Sequence, residues 1–150
     1  VMLIASGCIA SERRLHATAA DATGVALITV GDELMAARGR DLAEVTIRAR
    51  FQEDARVAVD AVRMRFEPIL LAYDTIRRAH DAWSDALRPM PGQSVMVAHR
   101  DDVALWVRLA ARVLVAWDAM VRVAQALGVT VLPPPAMLST AAATAAPEAP

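Results

Sequence analysis

Three histidines, one cysteine and five serines supply the groups in this 150-residue chain suited to metal binding, proton transfer or nucleophilic attack. Their placement argues against all three. His16, His80 and His99 lie far apart, whereas a pair that grips zinc is about three to five residues apart. Ser6, Ser11, Ser84, Ser94 and Ser139 sit in no nucleophile elbow, and no recognised motif sets a histidine beside a carboxylate to activate them. The triplet His99-Arg100-Asp101 lacks the downstream asparagine and the glycine-rich loop that phosphoryl transfer needs. Cys8 is the sole thiol, so no internal disulfide forms. One constellation stays open. His80 and His99 fall on facing stripes near one loop, where they either form a two-histidine metal or proton site or simply close the wetter end of a hairpin. The expectation is a non-enzymatic chain with no catalytic residue, no resident metal and no cofactor.

The elements that would position these groups are helices. Phe51, Ala55, Ala58, Val62, Phe66, Ile69, Tyr73, Ile76, His80, Trp83 and Leu87 follow one another at spacings of three and four, the period of a helix with one apolar seam. Pro68 interrupts the backbone bonding of this run without shifting its phase, which predicts a kinked helix over 41–88. The loop Arg88-Pro89-Met90-Pro91-Gly92 ends it. A second seam, Met96, His99, Val103, Trp106, Ala110, Val113, Trp117, Met120, Ala124 and Leu127, predicts a helix over about 95–127, closed by Gly128. Val107, Leu114 and Val121 flank that seam, so one partner helix does not suffice and a third must cover it. Residues 11–38 carry a weaker pattern that changes phase once, through Leu15, Ala19, Ala22, Ala26 and then Leu27, Val30, Leu34 and Ala37. A break or kink is expected at Arg38-Gly39-Arg40-Asp41, where Asp41 and Glu44 have the spacing of a capping box, with a helix running straight through as the alternative. Pro133-Pro134-Pro135 and the Ala/Thr/Pro run to Pro150 are expected to be disordered.

Net charge is −1 and every basic residue is arginine, interleaved with acids along the helix faces. That leaves no continuous stripe for phosphates, and nucleic acid is not an expected partner. Arg108, Arg112, Asp118 and Arg122 interrupt the apolar third helix, so it is not read as a membrane span.

The first ten residues are apolar and stop abruptly at Ser11-Glu12-Arg13-Arg14. Within them Ile4-Ala5-Ser6-Gly7-Cys8 resembles the lipobox of bacterial lipoprotein precursors, with Ala5 where that family usually has leucine. The resemblance implies that residues 1–8 are the end of a truncated signal, that Cys8 is the lipid-attachment residue, and that the mature chain is held to the periplasmic side of a membrane. Phe66-Glu67-Pro68, Ala72-Tyr73-Asp74 and Ala79-His80-Asp81-Ala82-Trp83 are similar to small helical proteins encoded in phages and prophages. Joined to a lipobox, they suggest a lysis-cassette protein of the spanin kind.

The reading is an all-α protein. A long kinked helix and a shorter one form an antiparallel, coiled-coil-like hairpin, completed by the N-terminal helix or by a second subunit. Residues 9–132 make the helical domain and 133–150 a tail. The expected function is that of a small cell-envelope lipoprotein acting as a structural or interaction module. Its partners would be the membrane, through the lipid, and a second copy or another helical protein. A spanin-like lipoprotein and a cytosolic helical adaptor are the alternatives.

Overall fold

The computed structural model describes residues 3–49, 55–89 and 100–143. Among them the chain is all-α, with α1 Leu3–Ala49, α2 Ala55–Leu87, α3 Arg100–Ala126 and α4 Ala136–Ala143, and no strand. The hydrophobic periodicity dictates the core. On α2, Val62, Phe66, Ile69, Ile76, Trp83 and Leu87 are buried, with Tyr73 and His80 half-buried on the same stripe. On α3, Val103, Trp106, Ala110, Val113, Trp117, Met120 and Ala124 are all buried. Met96 and His99 lie outside the described residues.

Two hydrogen bonds fix the direction of α3 against α2. Trp106 Nε1 donates to the Ala86 carbonyl at 3.0 Å, and Arg65 Nε donates to the Leu127 carbonyl at 2.8 Å. The start of α3 therefore sits at the end of α2, and its end near the first turns of α2: the two helices are antiparallel. Pro68 lies within α2 without ending it. Both Pro68 and Met64 face solvent, so the Met64 carbonyl that loses its helical donor is turned toward water. At the end of α3, Gly128 takes φ of 69°. Val129 N–H donates to Ala124 O at 2.8 Å and Gly128 N–H to Gln125 O at 3.0 Å. This is a Schellman cap, and Val129 and Ala124 are both buried.

Three expectations are corrected. First, the break at Gly39 is absent, and α1 runs unbroken from Leu3 to Ala49. The residues that read as a capping box are engaged elsewhere: Asp41 accepts from Arg65 at 3.0 Å, and Glu44 pairs with Arg48 at 2.5 Å. Second, the α1 stripe does not change phase. Its buried residues are His16, Ala19, Ala20, Thr23, Leu27, Val30 and Leu34, while Leu15, Ala22 and Ala26 are only half-buried beside it. Thr23 joins an apolar stripe because its hydroxyl donates to Ala19 O at 2.7 Å. Third, the tail folds back. Trp117 Nε1 donates to Leu132 O at 2.9 Å, and after the prolines α4 buries Leu138 and Ala141. Pro135 precedes α4, where a fixed φ and a missing N–H do no harm, and its carbonyl accepts from Leu138 N–H at 3.0 Å. Residues 144–150 lie outside the described ones.

The cover that α2 and α3 require thus comes from within the chain. α1 packs mainly on α2, and α4 mainly on α3.

Candidate functional site

The residue that the packing singles out is His16. Its imidazole is wholly buried, 5.9 Å edge-on from the Trp83 ring and 5.9 Å from the tilted Trp106 ring. Neither His16 Nδ1 nor Nε2 has a hydrogen-bond partner, and Trp83 Nε1 and Glu12 Oε2, one turn before His16, are likewise buried without one. Burial pushes the His16 pKa below its ordinary value near 6.5, because a desolvated imidazolium is costlier than a neutral ring. A neutral histidine donates through one nitrogen and accepts through the other, so this ring carries two unmet bonds.

Two arginines act as clasps, one at each end of the bundle. Arg13 spans the Trp106 face at 6.0 Å and donates to the Leu87 carbonyl at 2.6 Å, capping the end of α2. Arg65 does the same at the other end of the bundle, reaching Leu127 O, Gly128 O at 3.2 Å and the Asp41 carboxylate. A cation at the last carbonyls of a helix complements its dipole.

Between the clasps, α2 docks on α1 through two rings set into two glycines. The His80 ring lies against Gly24, where an added Cβ would meet it at 3.3 Å, and its Nε2 is 2.9 Å from Ala20 O. The Tyr73 ring lies against Gly31, with its hydroxyl donating to Leu27 O at 2.9 Å. An added Cβ at Gly31 would overlap that hydroxyl and come within 2.9 Å of Tyr73 Cζ. In each case the ring fills the space over glycine and bonds the carbonyl four residues earlier. Burial raises the Tyr73 pKa; Arg77 opposes the shift and Asp32 adds to it.

His80 is spent on α1, and its expected neighbour His99 lies outside the described residues. Among the described residues no group of three His, Cys, Asp or Glu side chains is placed to hold a metal. Cys8, the expected lipid-attachment residue, lies in the backbone of α1 one turn ahead of Glu12, and its side chain is outside the described ones. Sequence reasoning passed over His16 as an isolated residue. The signal that would have found it is the spacing 16, 20, 23, 27, 30, 34, a stripe in which a histidine and a threonine replace hydrophobes.

Compared with known proteins, the chain matches no family model, no curated protein and no solved structure, and a functional reading rests on its own residues.

Proposed function

We propose that this chain is a small cell-envelope lipoprotein of the bacterial kind, whose helical body acts as an interaction module on the periplasmic side of a membrane and whose lipid is carried by Cys8. The observation that supports it most is the place of the lipobox-like pentad. Ile4–Cys8 lies on α1 ahead of His16, the first buried side chain described, so cleavage before Cys8 removes none of the described core. Among the described residues no helix is long and apolar enough to cross a membrane, so attachment would fall to the lipid. Acyl chains contribute about 0.8 kcal/mol per buried CH₂, and two or more make attachment stable. The body supports a binding role over a catalytic one, because its unusual groups are sealed between helices and not presented to a substrate.

The test is expression with the gene's complete native start, beside a Cys8→Ser variant, read by intact mass and detergent partitioning. Wild-type protein is expected to be cleaved before Cys8, to carry lipid mass and to enter the detergent phase, and the variant to remain aqueous. An aqueous wild-type protein with unmodified Cys8 would favour a cytosolic adaptor.

A further inference from the structure

The grooves on the surface of the bundle differ in the charges that line them. The one between α1 and α2 mixes both signs, through Arg38, Arg63, Glu67 and Asp74. A second on the same pair of helices has Asp32 and Arg77, and a third, at the start of α3, has Asp101 and Arg108. The groove along the outer side of α3 has one sign alone. It holds about 640 Å³ and is lined by Leu105, Leu109, Val115 and Ala116 together with Arg108 and Arg112. Thr75 is the one residue of α2 in its wall, and no carboxylate lines it. Leu105 and Val115 are 39% and 65% exposed, so large apolar side chains stand open to water beside the two cations.

Arg108 and Arg112 are one turn apart on one helix face, and neither is in an ion pair with a described residue. The Thr75 hydroxyl is already donated to Leu71 O at 2.9 Å. The side-chain donors left in the wall are therefore the two guanidinium groups, whose planar forks suit a carboxylate or another oxyanion. Asp101 is the nearest carboxylate to share a groove with either of them, and it lies seven residues, about 10.5 Å of helix, before Arg108. A concave wall that is mostly apolar, with a few placed polar groups, is the usual make-up of a small-molecule site. From Leu105 to Ala119 this wall runs about 21 Å along α3, long enough for an extended alkyl chain. The arginines belong to the wall itself and not to its outer rims. One anionic head above an apolar chain matches that order better than a flat sheet of headgroups.

We propose that the α3 groove binds a single-chain anionic amphiphile, a long-chain carboxylate, with its head held by Arg108 and Arg112 and its alkyl chain laid on Leu109, Val115 and Ala116. The site is independent of the lipid on Cys8. The full chain carrying Cys8→Ser is the protein to measure, because acyl chains of its own then cannot fill the groove, and a failure here leaves the anchor standing.

Isothermal titration calorimetry with laurate, kept below the concentration at which it self-associates, is expected to show one molecule bound per chain. Dodecyltrimethylammonium, with the same chain and the opposite charge, should bind at least tenfold more weakly, and acetate, which has the head alone, should not bind. Arg108→Gln combined with Arg112→Gln is expected to weaken laurate at least tenfold with the helical circular dichroism unchanged, since both side chains are exposed. Val115→Asp, which sets a carboxylate beside the head and removes apolar wall, should weaken it by a similar factor. Should Val115→Asp lose helicity, the arginine pair carries the test alone. The proposal is overturned if laurate does not bind, if the cationic amphiphile binds as tightly, or if the arginine pair leaves laurate binding unchanged. It is equally overturned if the protein ignores monomeric laurate but binds phosphatidylglycerol vesicles, because the partner of this face is then a bilayer.

Discussion

His16 is the least comfortable residue of the core and the one whose replacement is most informative. Each buried polar atom left without a partner costs about 1–3 kcal/mol, and this ring leaves both of its nitrogens so. The sign of the pH effect follows from the lowered pKa. Above the ordinary value near 6.5 the ring is neutral in folded and unfolded chains alike, and its contribution is constant. As pH falls below that value, the unfolded chain takes up a proton that the folded one refuses, so stability is lost down to the folded pKa. Facing the ring or beside it are Glu12 and Arg13 on α1, His80 on α2 next to Trp83, and the Trp106 ring on α3. His16→Leu keeps an apolar side chain of similar size and removes the unmet bonds. It is expected to raise stability by about 1–2 kcal/mol and to flatten the decline below pH 6.5, as read by urea denaturation at several pH values. A variant less stable than wild type at pH 7 would show that the ring is satisfied in a way this packing does not include.

At the scale of elements, what was legible in the sequence was what hydrophobic spacing controls alone. The stripes of α2 and α3 were readable because Phe66, Ile69, Trp83, Trp106 and Trp117 repeat at helical period and all are buried. The unbroken α1 and the folded tail were not, because tertiary contacts decide both. Asp41 looks like a cap until Arg65 is placed beside it, and Leu138 looks like part of a loose tail until α3 offers it a surface. Glycine shows the same division between local and tertiary causes. Gly39 has nothing within 4 Å of an added Cβ, while Gly31 has the Tyr73 ring. Gly39→Ala is therefore expected to stabilise by roughly 0.5–1 kcal/mol through helix propensity. Gly31→Ala makes the same local gain but displaces Tyr73 from Leu27 O and is expected to destabilise by about 1–3 kcal/mol. Thermal unfolding of the two variants side by side checks the contrast, and equal shifts would contradict the docking of Tyr73.

At the scale of the molecule, α1 is structural cover. A chain beginning at Asp41 would bare His80, Tyr73 and the Trp83 and Trp106 rings that flank His16. It is expected to lose cooperative unfolding and to bind a hydrophobic dye, whereas a well-folded monomer of that length would show that α2, α3 and α4 suffice. The candidate site was less legible than the fold, because it is made by three helices converging on a residue that no motif flags. One consequence lies in the two glycine notches. Gly24 and Gly31 are seven apart, as are Tyr73 and His80, and seven residues advance a helix by about 10.5 Å while returning it to nearly the same face. Slid by that step, α1 would still offer one notch to one ring, so the repeated notch is an ambiguous address. The ambiguity is resolved at the ends: the same slide carries Arg13 away from the Leu87 carbonyl and Asp41 away from Arg65. Two contacts far from either notch act as the checksum that tells the true alignment from its near-duplicate.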